Sequence, residues 1–400
     1  MVGTALLVRL ILVSYALLHF GPAWFFSRGS EMGLLADSLV HGQGLSSPFG
    51  VPTGPTAIVA PGYPFLVSIV FRAFGSYTWT SALCLMLFHV ACNTTTVWLI
   101  YRSGRLIANE SGALVVAMFW ACSLPLIWMP TIFWETSLST LAIIGMVSIM
   151  LSVQESRPLH FWFVCGSCCG VAALFNPALV LSLGALVAYT ICRTAKQAPR
   201  AERLAICCAG CVLVFFPWPL RNAHVFHACV LTRTTVGLEL WMGNHPGSTG
   251  FLDASLFPTY NHAELADYQR RGEIGYTNHK GQLARTFIEA HPVGFLLLSS
   301  RRFVRFWTGS GTSAGSVLFS LHATLSSLLG SCGLYFLWRE RKREVCLTFL
   351  LPFLLFPLPY YVTHAEFRYR LLLDPLLFTL SAKALSCFSM RLRSRRETRL

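Results

Sequence analysis

The chain is 400 residues long, 54% hydrophobic and only 12% charged, with a mean hydropathy of +0.57. A soluble domain carries about 25% charged residues, so this composition excludes an ordinary soluble enzyme and points to a polytopic membrane protein. The net charge of +14 sits in short basic clusters between apolar spans, the bias of cytoplasmic loops rather than of a nucleic-acid-binding patch.

A bilayer core takes about 20 apolar residues per helix. The first such run, residues 4–26, is too long for a signal-peptide core and lacks a clear small-residue cleavage site, so it reads as a retained span. Residues 27–76 follow as a polar loop rich in Gly, Pro and Ser, with two carboxylates, Glu31 and Asp37. Six positions apart, these fall on largely different faces of any helix. The loop also holds an apolar run, 58–75, interrupted by Pro61, Pro64 and Arg72. Further crossings are expected at 77–101, 111–129, 132–151, 160–175, 176–192, 204–220, 314–338, 345–363 and 369–388.

Charge fixes the count. The connections 102–110, 152–159, 193–203 and 339–343, with the tail 389–400, hold 16 of the 31 Lys and Arg. If all five are cytoplasmic, one crossing fits between the opening loop and Arg102, and 58–75 must lie along the interface or re-enter. The expected fold is all-α and polytopic, with about ten transmembrane helices in a single membrane domain over residues 1–400 and both termini in the cytoplasm. The extracytoplasmic face then collects the opening loop, a long loop 221–313 and the connection 364–370. A site is expected on that face. No internal repeat of the transporter kind is visible.

The fourteen cysteines do not make a metal or disulfide framework. "CGSCCG" (165–170) and "CCAGC" (207–211) carry C-x-x-C spacings inside apolar spans, without a second pair or nearby His. They read as small packing residues. No P-loop, H-E-x-x-H or G-x-S-x-G motif occurs. The sequons at Asn93 and Asn109 fall in a span and on the cytoplasmic side.

The residues that could carry chemistry are few. Glu31 and Asp37 are the loop carboxylates, although loop acids are often merely solvated. In "THAEFRYRLLLDPLL", Arg368 and Arg370 flank Tyr369 at the outer membrane boundary. Snorkelling would explain them, but arginine on the outer face runs against the charge bias and suits a phosphate ligand. Asp374 can pair with Arg370 four residues earlier. Arg221 and Asn222 emerge in "PWPLRN", a further candidate phosphate contact. "GLELWMGNHPGSTG" (237–250), with Asn244, reads as tight turns. Glu135 in "FWETS" is a candidate site-lining acid near the outer end of its helix.

Taken in order, these features resemble the GT-C superfamily of membrane glycosyltransferases, in particular the protein O-mannosyltransferase and aminoarabinose-transferase type. That family's first loop carries an acidic motif followed by small residues. Here it reads "SEMGLLADSLVHGQG", with Glu31 in the Glu place and Ala36, Leu39, Gly42 and Gly44 following. "APGYPF", with Tyr63, resembles the next motif, and "PWPLRN", "LWMGNHPG" and "EFRYRLLLDPLL" resemble the later ones. The chain departs from the pattern at Ser30, where the family usually has Asp, and at Asp374.

The resemblance implies an inverting enzyme that moves a sugar from a polyprenyl-phosphate-linked donor to a protein, lipid or glycan acceptor at the extracytoplasmic face. It places the chain in a prokaryotic inner (plasma) membrane, in contact with membrane lipid and not with nucleic acid. Glu31, or else Asp37, is then the base. Arg368, Arg370 and Arg221 bind the donor phosphate, Glu135, Tyr63, Asn222, Asn244 and Tyr369 line the site, and 58–75 walls the prenyl chain. No cofactor is required by the residues, although a divalent metal is compatible with the class. The competing readings are a transporter or flippase of lipid-linked sugars and a non-catalytic scaffold.

Overall fold

Apolar runs become helices throughout, since a helix satisfies its own backbone inside a bilayer. The computed structural model describes residues 1–154, 157–194, 200–309 and 314–397. It opens with α1 (Val2–Ser27), which kinks at Gly21 (φ 74°) just before Pro22. The opening loop is partly helical, with α2 (Ser30–Val40) and α3 (Gly62–Phe74). At 13 residues α3 is too short to span, in keeping with an interfacial or re-entrant segment.

Next come α4 (Trp79–Ile107), α5 (Glu110–Cys122), α6 (Leu124–Ile127), α7 (Thr136–Leu151), α8 (Leu159–Phe175), α9 (Ala178–Thr194), α10 (Arg200–Phe215) and α11 (Pro217–Phe226). Side-chain caps start two of these. Thr78 Oγ1 accepts from the Ser81 amide at 3.2 Å, and Asn109 Oδ1 from the Gly112 amide at 2.8 Å. Among the described residues, four helices are long and apolar enough to cross a membrane: Val2–Ser27, Trp79–Ile107, Gly315–Arg339 and Arg343–Val362. Two bent pairs raise this to six, α5 with the segment Leu124–Thr131 at 65° and α10 with α11 at 45°. Shorter apolar helices, α7, α8 and α9, stand beside them. The protein is therefore a multi-pass, all-helical membrane protein.

The segment 221–313 corrects the expectation of a long loop. It contains α12 (Val236–Gly243), α13 (His262–Ala290) and α14 (Pro292–Thr308). The 237–250 stretch, expected as turns, begins as α12. α13 is polar and starts at Asn261, whose side chain accepts from the Ala263 and Glu264 amides. α14 turns Arg302 and Phe306 inward and leaves Val293, Leu296, Leu297, Phe303 and Val304 exposed.

The chain ends with α15 (Ala314–Arg339), α16 (Arg343–Leu355), α17 (Leu358–Val362), α18 (Phe367–Arg370) and α19 (Asp374–Glu397). The expected crossing 345–363 corresponds to the candidate span Arg343–Val362, in which a turn separates α16 from α17. The expected crossing 369–388 begins only at Asp374, after a break, and runs on into the basic tail. Of that tail, residues 398–400 lie outside the described residues.

The cysteine motifs mark the tightest helix pair, α8 against α10. A Cβ on Gly166 would collide with the Cys207 carbonyl, and one on Gly210 with the Phe163 carbonyl. Small residues let two membrane helices approach to backbone contact. All fourteen cysteines are free. We expect Gly166→Leu to destabilise the detergent-solubilised protein by about 1–3 kcal/mol, the cost of forcing volume into a filled contact. Thermal melting checks this, and an unchanged melting temperature would contradict the packing.

Candidate functional site

The site is built around one tryptophan. Gly29, at the start of α2, sits so close to the Phe133 carbonyl that a side chain there would clash. This contact lays the opening segment directly on residues 131–135. Trp134 Nε1 donates to the Arg28 carbonyl at 3.2 Å, and Arg28 reaches Thr131 Oγ1 at 3.3 Å. The Arg368 guanidinium lies 4.3 Å from the centre of the Trp134 ring, within cation–π range. Trp134 therefore joins the first loop to the connection before the last helix.

Acids and bases gather at this junction. Glu31, in the first turn of α2, is within electrostatic reach of Arg368 and Arg233. Burial pushes its carboxyl above the usual glutamate range, and the amides of its own turn and the two arginines only partly offset this. Glu135 feels the same two arginines and accepts from Asn176 Nδ2 at 3.3 Å. Arg368 and Glu366 pair at 3.6 Å. Arg233 donates to the Ile58 carbonyl at 2.8 Å and to Glu239 Oε1 at 3.2 Å. The other oxygen of Glu239 meets His364 Nε2 at 2.5 Å. Burial raises the Glu239 carboxyl, but the bond and charge of His364, with Arg233 and Arg368, outweigh it and hold the group at about 2. Tyr369 stacks on Tyr360 at 4.1 Å.

Beside this cluster lies a cavity of about 380 Å³. Arg305, Glu366 and Arg368 supply its polar wall, and Phe251, Leu252, Phe319 and Phe367 its apolar wall. The Arg305 guanidinium is held by the Thr249 carbonyl at 2.5 Å and by the face of Phe251 at 3.9 Å. Cationic groups beside apolar walls suit a ligand with an anionic head and a hydrocarbon tail.

The structure divides the residues expected from sequence. Glu31, Glu135, Arg368 and Tyr369 come together. Asp37 does not join them: it lies one and a half turns further along α2 and pairs with His41 at 3.5 Å. Arg370 points into the helix bundle, where it binds Asp374, Ser326 Oγ at 2.7 Å, Ser327 Oγ at 3.1 Å and the Ala323 carbonyl at 2.9 Å. Its place as a phosphate ligand is taken by this network. Arg221 holds the opening loop, through the Thr56 and Leu45 carbonyls at 3.0 and 3.2 Å, and also bonds Asn222. Asn222 and Asn244 are fully buried and bond backbone carbonyls, those of Val230 and of Leu240 and Val362. Tyr63 supports the junction from below, its hydroxyl 3.0 Å from His89 Nε2 and its ring against Phe133.

Sequence reasoning missed Trp134, Arg233, Glu239, Arg305 and His364 as site residues. Among the described residues, no three His, Cys, Asp or Glu side chains converge in a way that would hold a metal ion.

The pattern of the family described as dolichyl-phosphate-mannose-protein mannosyltransferase matches residues 58–220. Solved structures align over nearly the whole chain. The oligosaccharyltransferase of Archaeoglobus fulgidus in its apo form covers 99% of this chain and 52% of its own, at 13% identity and a TM-score of 0.53. The archaeal oligosaccharyltransferase AglB of the same organism, in complex with an inhibitory peptide and a dolichol-phosphate, covers 93% and 47%, at 15% identity and a TM-score of 0.51. The fold is therefore like that of these oligosaccharyltransferases. The chain spans about half the length of the oligosaccharyltransferases it matches. ArnT from Cupriavidus metallidurans, in its apo state, aligns over 94% of this chain and 77% of its own, at 12% identity and a TM-score of only 0.34. No curated protein matches the sequence. Glu31 and Arg368 both lie outside the span the family pattern covers.

Proposed function

We propose that the chain transfers a sugar from a polyprenyl-phosphate donor to an acceptor hydroxyl or amine at the extracytoplasmic membrane boundary, with inversion at the anomeric carbon. The observation that carries this reading is Arg368, which joins a cavity with apolar walls to a cluster of half-buried carboxylates. The family match over 58–220 supports the donor class.

The donor's phosphate sits against Arg368 and Arg305, where preorganised cations stabilise the charge that gathers as the sugar–phosphate bond breaks. Its prenyl chain leaves along Phe251, Leu252 and Phe319. Glu31 takes the proton from the attacking acceptor, a role open to a carboxylate within hydrogen-bond reach. The exposed apolar face of α14 rests in the membrane interface, so the cavity opens at headgroup depth. Ten crossings, with both termini cytoplasmic, are obtained if α7, α8, α9 and α19 also span. The short basic connections then lie on the cytoplasmic side of a plasma membrane.

The test is transfer of labelled sugar out of the lipid fraction by membranes containing the chain. Glu31→Gln is expected to lower that rate by about 10²–10⁴-fold. The pH profile carries a sign. A carboxyl with a raised pKa takes up its proton at a higher pH, so the base form is lost early as pH falls. The acidic limb of the wild-type rate should therefore lie above the usual glutamate value of about 4.3, and Glu31→Gln should lack it. Full activity in Glu31→Gln removes Glu31 from the base role. Label that crosses vesicles but stays on lipid would identify a transporter instead.

A further inference from the structure

The cluster contains a polar atom that the protein itself leaves unsatisfied. His364 is 1% exposed, and its Nδ1 is buried with no hydrogen-bond partner among the described residues. The ring is held firmly in that state. Gly243 approaches the Thr363 carbonyl so closely that any side chain would collide. Arg302 clamps the same two segments together, donating to the Gly243 carbonyl, to Asn244 Oδ1 at 3.0 Å and to the Val362 carbonyl at 3.0 Å. The backbone just before His364 is thereby fixed, and the ring rests between Glu239 and Tyr369.

An unpaired buried polar atom costs about 1–3 kcal/mol and calls for an explanation wherever a native fold keeps one. The chemistry of the partner follows from Glu239. That carboxylate is ionised and can only accept, so His364 Nε2 carries the proton in their bond. Nδ1 is then the ring atom left without a partner, and a hydroxyl, which can both donate and accept, is able to satisfy it. Position narrows the choice. His364 directly precedes Ala365 and Glu366, which line the cavity with Arg368, and Glu239 is within electrostatic reach of Arg368. A sugar ring attached to a phosphate at Arg368 begins one bridging oxygen away. We infer that the Glu239–His364 pair reads a hydroxyl of the donor's sugar, which pairs with Nδ1, and so helps to set which sugar is transferred. The inference rests on the donor class proposed above. His364 is a specificity residue in this account, and the proton transfer stays with Glu31.

The test measures binding by the purified full-length chain in nanodiscs. The probes are polyprenyl-phosphate-mannose, polyprenyl-phosphate-glucose and sugar-free polyprenyl phosphate. His364→Gln keeps an amide near Nε2 for Glu239 and lacks the polar atom at Nδ1. It is expected to weaken the preferred sugar-bearing lipid about tenfold, the effect of one lost hydrogen bond to a buried group. Its affinity for the sugar-free lipid should stay within about twofold of wild type. His364→Asn, which keeps a polar atom near Nδ1, should recover part of the loss. Equal weakening on all three lipids would mean a purely structural histidine and overturn the inference, as would unchanged binding in His364→Gln. A wild type that binds the sugar-bearing lipids no better than the bare one also overturns it. Saturable binding of none of the three removes the donor reading itself.

Discussion

Replacing Arg368 with glutamine is expected to lower sugar transfer by about 10²–10³-fold while leaving the fold in place. Arg368 is the side chain that touches both halves of the site: it lines the cavity, pairs with Glu366 and lies over Trp134. None of these contacts is part of the bundle's core, so the loss should fall on function. Its job as a phosphate ligand depends on a planar fork of donors, which lysine lacks. Arg368→Lys should therefore recover only part of the rate, and the apparent affinity for sugar-free polyprenyl phosphate should fall in step in both variants. The measurement is initial rate against donor concentration in membranes with matched amounts of protein. Wild-type rates in Arg368→Gln would sink the proposed site.

Arg370, two residues on, should behave in the opposite way. Its guanidinium is 1% exposed and meets the fully buried Asp374. Asp374 also meets His322 Nε2 at 3.0 Å, and His322 Nδ1 meets Ser123 Oγ at 2.9 Å. The network ties α15 and α19 to the break between α5 and α6. Removing one member of a buried ion pair strands the other and costs about 3–5 kcal/mol, whereas replacing both with apolar groups is often close to neutral. Arg370→Met is expected to melt at a markedly lower temperature in detergent, and Arg370→Met with Asp374→Leu to recover much of the loss. Arg370→Met that melts like wild type but no longer binds the lipid phosphate would return Arg370 to the ligand role its motif suggests.

The contrast between these two arginines marks how far the sequence could be read. The apolar helices were legible because long apolar runs have few alternatives. The expected crossing 160–175 became Leu159–Phe175, and 314–338 became Ala314–Arg339. α13 was not legible. It is polar along its length and bends at Gly272 (φ 68°), and its helical state depends on packing against α12. Glu31 and Arg368, which the structure brings together, stood out in the sequence as charged residues at an expected membrane boundary. The paired reading of Arg368 and Arg370 failed for a reason already present in the spacing: residues two apart on a helical turn point nearly opposite ways. Arg233, Glu239 and His364 gave no such signal. They are distant in sequence, and tertiary contacts bring them together: Arg233 bonds the Ile58 carbonyl and Glu239, and Arg302 clamps Gly243 to Val362.

The bond between Trp134 and Arg28, with Arg368 against the indole face, also bears on the order of biosynthesis. It joins the opening of the chain to a segment near its end. At about 5–20 residues per second, synthesis separates Glu31 from Arg368 by on the order of half a minute. Most of the spanning helices enter the bilayer in that interval, yet the carboxylate waits without its arginine. The cluster of Glu31, Trp134 and Arg368 thus cannot form until residues 364–370 have been made. A ribosome-released fragment ending before residue 364 should insert its helices and yet have no site to offer a donor.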